Sequence, residues 1–467
     1  MRENQASTRL AKGTIVYMIG NISSKILQML ILPIITVTLQ TSEYGYYDLI
    51  ITTISFVIPI ITFQMIEGMF RFMFNASEDE KQKTVTTVTT FLLGGLIVLA
   101  GIILMLKIVV PTLKYPFLIY LNYATNIIFN YAQKLVRCRG KNKEFAISGV
   151  LHTIIMLGMQ AVTLLLLNMS VDGMLIANAF SYIGAALYLL AQLNIKQWIK
   201  KGCFDKVTFK NLFKYSAPLI PNSIGWWLVA SSDRYIISFL LDTAANGIYS
   251  IAGKFSQLLT FVTTVFQLAW QESAIMEENS ETRDKFYTDT FNTYMKLLMG
   301  GYLVVLPFIK LVIPILLEKS YQVGYIYTPI LLIGAIFSAF SQFYGSAYLV
   351  FKKTGGAFTT TMVAAVINIT IGVRLISKIG LFAPALGTAT SFMIQWFIRV
   401  YQMKDYFKVK VNWKALVSLI IFMIISTSIY YMKSTSIQLV SMLIGGCIFV
   451  IYNHEILLTC LKKILRK

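Results

Sequence analysis

Charged residues are scarce in this 467-residue chain. Asp, Glu, Lys and Arg together make up 13% of it, where a soluble domain carries about 25%. Histidine is scarcer still: His152 and His454 lie far apart, so no Ser/His/Asp site and no His-type metal cluster can be drawn from them. The four cysteines (Cys138, Cys203, Cys447 and Cys460) show no paired spacing. That excludes a disulfide framework and a cysteine-type zinc site, and Cys138 and Cys203 fall in loops expected to face the reducing cytoplasm. Neither cofactor nor metal is expected. Long polar segments are missing as well. The largest, Lys134–Glu144, Lys196–Lys214, Glu272–Lys285 and Lys404–Lys414, read as connectors and leave no room for a soluble catalytic domain. The stub Met1–Lys12 lacks a small-residue cleavage site, and the apolar run after it exceeds a signal-peptide core, so it reads as the lead-in to an uncleaved first span.

In their place stands hydrophobic sequence, 56% of the chain, with a mean hydropathy of +0.67. A helix needs roughly 20 mostly apolar residues to cross a ~30 Å hydrocarbon core. About fourteen stretches approach that length: 14–38, 46–70, 85–110, 115–136, 146–168, 172–195, 212–240, 247–272, 287–317, 325–350, 358–377, 381–402, 413–432 and 436–460. No barrel-like alternation accompanies them, so all are expected to be helices that satisfy their own backbone in lipid. Of the 41 Lys and Arg, only Lys107, Lys114, Lys310, Lys319, Arg374, Lys378 and Lys433 fall to the external side, in its loops or at the span ends beside them, and Lys25, Arg234, Lys254 and Lys296 are counted inside spans. The rest gather in the alternate loops. Loops rich in Lys and Arg stay in the cytoplasm, which predicts a multi-pass protein with both termini cytoplasmic. The net charge of +20 is spread over separate loops, so it answers to topology and anionic headgroups and no nucleic-acid partner is expected.

The segment Leu39–Leu49 matches Leu241–Ile251 at a constant offset of 202, with Leu39/Leu241, Thr41/Thr243, Gly45/Gly247 and Tyr47/Tyr249 identical. Six spans separate the copies, so both halves share one orientation. Parallel repeats of this kind are a transporter device, with substrate bound between the halves. The expected organisation is an all-α, two-lobed bundle: residues 1–200 as one six-helix lobe, 201–405 as a second, and 406–467 as two additional helices.

Ionisable groups inside a span cost roughly 2.5–3.5 kcal/mol each and usually face a cavity or a partner. Asn21, Lys25 and Gln28 share one face of the first span. Asp48, Thr52, Ser55 and Thr62 form a stripe on the second that ends in Glu67 and Arg71. Asn122, Asn126, Asn130 and Gln133 line up on the fourth, and Asn222, Trp226 and Asp233 on the seventh beside Arg234. The eighth carries Ser250, Lys254, Gln257, Thr264 and Gln271. Polar residues in lipid also serve as interhelical glue, which accounts for single Ser, Thr and Asn residues. Lys25, Arg234 and Lys254 each need more. Of the carboxylates at hand, Glu67 is spaced to engage Arg71, and Asp233 adjoins Arg234 and so is expected on another helix face; Glu272 is the third. The interior thus reads as electropositive and polar, suited to a phosphate or pyrophosphate group. His152 reads as a packed histidine.

Gly13–Asn21, Leu32-Pro33, Glu43–Asp48 and Glu67–Arg71 resemble the opening of bacterial polysaccharide-biosynthesis flippases of the Wzx type, in the multidrug/oligosaccharidyl-lipid/polysaccharide (MOP) exporter superfamily. Ala217–Asn222, Trp226-Trp227, Asp233–Tyr235, Gly247–Tyr249, Lys254 and Ala269–Gln271 resemble the start of their second half. The resemblance implies a MATE-like pair of six-helix bundles plus two helices. It implies alternating access in the bacterial cytoplasmic membrane, and flipping of undecaprenyl-pyrophosphate-linked oligosaccharide units from the inner to the outer leaflet for surface polysaccharide. It further implies coupling to a proton or sodium gradient, work beside a polysaccharide polymerase, and cavity cations matching Lys25, Arg71, Arg234 and Lys254. Glu67, Asp233 and Glu272 are then the candidate coupling carboxylates, and Asn21, Gln28, Asp48, Asn126, Asn222, Gln257 and Gln271 the polar lining. Three readings stand beside it. A multidrug exporter of this fold would need buried acids for organic cations, and bases outnumber acids here. A peptidoglycan or teichoic-acid precursor flippase is another; related peptidoglycan-precursor flippases prefer Arg in the first helix, and Lys25 leaves that relationship open. A glycan polymerase would display a large external loop, which is missing.

Overall fold

The computed structural model describes residues 27, 29–73, 76–193, 204–278, 280–351 and 353–465. They form helices and turns, with no strand among them. Residues 14–26 of the first expected span, and with them Asn21 and Lys25, lie outside the described residues, as do Gln28 and the side chain of Glu272. The chain divides into two compact units, Met1–Trp227 and Leu228–Lys467.

The first unit contains α1 (Leu32–Thr38), α2 (Thr41–Ile61), α3 (Met65–Met73), α4 (Glu78–Val109), α5 (Pro116–Cys138), α6 (Asn142–Ala161, continued by one π-helical turn, Val162–Leu166), α7 (Val171–Leu193) and α8 (Lys206–Ser216). Their ends follow local chemistry. Gln40 and Glu43 close a capping box on α2, and Ser77 and Glu80 close another on α4, each satisfying backbone N–H groups left over at a helix start. Asp205 caps α8 by accepting from the Thr208 backbone N–H at 2.8 Å. The Thr208 hydroxyl and N–H hold the Asp205 carboxyl below the usual carboxylate range, so this cap is made at neutral pH and is lost as pH falls through that lowered value.

Two expected spans are broken. Residues 46–70 fall into α2 and α3, and 212–240 begins in the separate helix α8. In the first case Pro59 removes a backbone donor near the end of α2. The Thr62 hydroxyl then bonds back to the Ile58 carbonyl at 2.8 Å, and Phe63 and Gln64 take left-handed φ of 45° and 54°, where a helix cannot continue. In the second case Pro218 follows the end of α8 at Ser216; Ala217 before it keeps helical dihedrals (φ −56°, ψ −41°), but proline has no backbone N–H with which to continue the ladder. α8 keeps Leu212 buried while Lys206, Lys210 and Lys214 recur at every fourth position along another face.

The division between units falls inside α9 (Leu219–Leu240). The second unit continues with α10 (Thr243–Met276), α11 (Arg283–Leu316), the single turn α12 (Lys319–Gln322), α13 (Thr328–Val350), α14 (Thr354–Ile379), α15 (Phe382–Met403), α16 (Trp413–Tyr430) and α17 (Thr435–Leu465). Its core is aromatic: the Trp270 ring stacks on Phe343 at 4.1 Å and Phe266 on Tyr294 at 3.7 Å. The Trp270 indole N–H donates to the Phe343 carbonyl at 3.0 Å, so the polar edge of the ring is satisfied inside the core. The last helix, α17, packs on α11 through small residues. A Cβ at Gly445 would run into the Leu303 carbonyl oxygen, and one at Gly300 would meet Phe449 at 3.1 Å. Close backbone approach of this kind is how helices associate where lipid removes the hydrophobic drive.

Both copies of the repeat open a helix. Thr41 begins α2 and Thr243 begins α10; Gly45, Gly247, Tyr47 and Tyr249 are all buried. Nine helices among the described residues are long and apolar enough to span a bilayer. Four more of comparable length, α5, α9, α10 and α15, are absent from that set. Three of these, α5, α9 and α10, are among the helices whose polar stripes the sequence singled out, whereas α2, with the stripe of Asp48 and Thr52, is one of the nine.

Candidate functional site

In the first unit the broken segment gathers the polar side chains. The Gln64 side-chain amide donates to the Ser223 hydroxyl at 2.6 Å, and the Trp227 indole N–H donates to the Thr52 carbonyl at 3.1 Å. Glu67 is paired with Lys134 of α5 at 2.7 Å, which corrects the expectation that it engages Arg71. The i, i+4 spacing allowed the local pair, but Lys134 reaches the same carboxylate from the neighbouring helix. Its ammonium also lies 5.1 Å from the Phe70 ring centre, a favourable cation–π position. Arg71 instead lines a polar cavity of about 560 Å³ with Glu80, Thr84, Thr208, Asn211 and Tyr215. Asp48 is buried.

On α5 the asparagine stripe serves cohesion. The Asn122 amide donates to the Leu175 carbonyl at 3.0 Å and accepts from Asn178 at 2.9 Å, and Asn130 bonds Asn126 one turn away. The interhelical-glue reading is therefore correct for Asn122. His152 stacks on Tyr182 at 4.6 Å and on Phe129 at 5.4 Å, a packed histidine as expected.

In the second unit Asp233, Arg234 and Tyr249 come together. The Tyr249 hydroxyl donates to Asp233 Oδ2 at 2.8 Å, and Arg234 Nη1 donates to Asp233 Oδ1 at 3.1 Å. Asp233 is 4% exposed. Sequence neighbours on a helix point to different faces, and on that ground the pair was expected to diverge. The arginine stem is long enough to fold back, and the two charges meet. Arg234 also lies against α10, where a Cβ on Gly253 would stand 3.9 Å from Nη2, beside Lys254. The arrangement is a buried carboxylate holding a phenol and a guanidinium, with a lysine adjacent in sequence to the glycine they approach. Chemically it can exchange one anionic partner of Arg234 for another, or release Arg234 when Asp233 takes a proton.

Of the remaining expected lining residues, Asn222 is exposed and Gln257 and Gln271 are half-buried. Arg399 was missed. The charge count assigned it to a loop, yet it is 2% exposed. Its Nε donates to the Thr360 hydroxyl at 3.1 Å, Nη1 to the Ser341 carbonyl at 2.8 Å and Nη2 to the Thr361 hydroxyl at 3.2 Å. The available signal was Gln395, Arg399 and Gln402 at i, i+4 and i+7, one face of α15.

Known proteins bear on this arrangement. Residues 10–271 match the family described as "Polysaccharide biosynthesis protein". The "Probable low-salt glycan biosynthesis flippase Agl15" of Haloferax volcanii is 24% identical over 231 residues, 46% of this chain and 48% of that protein. The chain thus aligns with about half the length of the curated relative it matches. Among solved structures, a lipid II flippase MurJ in an inward closed conformation superposes with a TM-score of 0.74 at 13% identity, covering 96% of this chain and all of that one. An inward-facing multidrug resistance MATE family transporter of the MOP superfamily gives 0.65 at 12% identity, over 86% of this chain and 98% of the other. At such identities the likeness establishes the fold, an all-helical bundle of the MurJ and MATE kind.

Proposed function

This chain belongs to the polysaccharide biosynthesis protein family, and from that premise we propose that it is a flippase of the Wzx type. Its cargo is an undecaprenyl-pyrophosphate-linked oligosaccharide unit, carried from the inner to the outer leaflet of a bacterial cytoplasmic membrane by alternating access, with both termini inside. The observation that supports this best is the Asp233–Arg234–Tyr249 cluster beside Lys254. Arg234 and Lys254, with Lys25 and Arg71, attract the diphosphate by charge-assisted hydrogen bonds, and the polar helices solvate the sugars. Asp233 supplies the differential. It holds Arg234 when ionised and yields it when protonated or when a diphosphate competes, and only such state-dependent affinity can drive a transporter between conformations. Glu67 holds Lys134, which is not one of the proposed cargo cations, whereas Asp233 holds Arg234, which favours Asp233 as the coupling carboxylate.

A second reading, flipping of a peptidoglycan precursor, is favoured by the superposition on MurJ; both readings share the lipid diphosphate. The test is a Lys25→Gln, Arg234→Gln, Lys254→Gln triple variant in a strain lacking the chromosomal copy. Surface polysaccharide is expected to vanish while the protein remains inserted in the membrane. Wild-type polysaccharide in that strain would refute the reading.

A further inference from the structure

The last two helices carry a site of their own. At the end of the bundle where the lysine-rich connector 404–414 enters α16, a cavity of about 540 Å³ is lined by Lys296 of α11, by Lys414 and Ser418 of α16, and by Tyr452, His454 and Glu455 of α17. Lys296 and Lys414 take part in no ion pair among the described residues. The wall therefore presents two cations against the single acid Glu455.

The pocket is held in shape. The Asn292 amide donates to the Lys410 carbonyl at 2.9 Å, the Asn412 N–H donates to Asn292 Oδ1 at 2.8 Å, and the Ala415 N–H donates to Asn412 Oδ1 at 3.0 Å. These bonds strap the first turn of α16, with Lys414, to the helix that carries Lys296. The Ser418 and Tyr452 hydroxyls lie 2.7 Å apart and tie α16 to α17, and the Asn453 amide donates to the Lys296 carbonyl at 3.3 Å. A pocket fixed before its ligand arrives loses less entropy on binding.

Its surroundings identify the ligand. Along α16 the outward face is Val417, Ile420, Ile421 and Ile424, and along α17 it includes Leu443, Ile444 and Ile451, all exposed. Trp413, 66% exposed and between the lining residues Asn412 and Lys414 in sequence, is the kind of aromatic residue enriched at membrane interfaces. Two ammonium groups over the bonded Ser418–Tyr452 hydroxyl pair, beside an apolar, lipid-facing wall, match a phosphate that carries acyl chains. Lysine-rich ends of a bundle face the anionic cytoplasmic leaflet.

We propose that the pocket formed by Lys296, Lys414, Ser418 and Tyr452 binds the phosphate headgroup of an anionic phospholipid of that leaflet, anchoring the appended helix pair. The proposal does not depend on the cargo, and its readout involves no flipping.

The test uses the intact purified protein, delipidated in detergent, with dioleoyl phosphatidylglycerol, dioleoyl phosphatidylcholine or inorganic phosphate as probe. Binding is followed by native mass spectrometry and by the thermal unfolding midpoint. Phosphatidylglycerol is expected to stay bound and raise the midpoint where the other two do not. A Lys296→Gln, Lys414→Gln variant is expected to lose about tenfold or more in phosphatidylglycerol affinity. Lys296→Arg, Lys414→Arg should retain most of it, and Lys408→Gln, Lys410→Gln on the same connector should be unaffected. Equal stabilisation by phosphatidylcholine or by free phosphate would overturn the proposal, and so would undiminished phosphatidylglycerol affinity in the Gln pair.

Discussion

Asp233→Asn is expected to make flipping indifferent to an imposed proton gradient, whereas the wild type should respond to one. In the structure the ionised carboxylate holds Arg234 at 3.1 Å and accepts from Tyr249 at 2.8 Å. A charge-assisted hydrogen bond is worth about 1.5–3 kcal/mol, so removing this hold shifts the availability of Arg234 by roughly 10- to 100-fold. Asparagine preserves shape and can still accept from Tyr249, but it cannot ionise, so Arg234 stays permanently released. The sign follows directly. Acidification of the side that Asp233 faces frees Arg234 in the wild type and changes nothing in the variant. Initial flipping rates in vesicles, measured with and without a pH step, check it. A variant that keeps the full wild-type response would move the coupling role away from Asp233, to Glu67 or Glu272.

Arg399→Ala is expected to have the largest effect on stability. The guanidinium joins α15 to Ser341 of α13 and to Thr360 and Thr361 of α14, and Gln395 extends the same network by accepting from Ser341 at 2.8 Å and donating to Thr361 at 3.2 Å. Gly345 makes room for it, since a Cβ there would approach Nη1 to 2.6 Å. Truncation leaves these acceptors without their donor and opens a hole, at a cost of roughly 3–5 kcal/mol. Lysine cannot reproduce three donors in a rigid fork, so Arg399→Lys should recover only part of the loss. Thermal unfolding in detergent is the measurement. An unchanged midpoint for Arg399→Ala would show that the guanidinium does not hold these three helices together.

The membrane-spanning architecture was legible because bilayer thickness imposes its own length on the sequence. The helix beginnings were less legible: the expected span 85–110 starts inside α4, whose capping box of Ser77 and Glu80 went unread. The two matching segments are alike residue by residue: Thr41 and Thr243 start helices, and Tyr47 and Tyr249 are buried. Side-chain pairing was far less accessible. Glu67 had a partner at the right spacing in Arg71, yet its carboxylate is taken by Lys134, 67 positions away. Asp233 and Arg234 were separated by a rule about Cβ directions that a flexible four-bond stem escapes. Arg399 looked like a loop charge because it falls near the end of its span, and burial is a property of the neighbours on α13 and α14. The break at Phe63 and Gln64 carries no glycine to announce left-handed backbone, and Pro59 alone is common in membrane helices.

The proposed function requires that the protein carry a lipid diphosphate bearing sugars across a bilayer. The direct measurement is reconstitution of the purified chain into vesicles with a fluorescent undecaprenyl-pyrophosphate oligosaccharide, reading the fraction accessible to a membrane-impermeant quencher over time. Wild type is expected to raise that fraction well above protein-free vesicles, and the Lys25→Gln, Arg234→Gln, Lys254→Gln variant is not. Equal accessibility with and without the protein, accompanied by efflux of a cationic dye from the same vesicles, would contradict it.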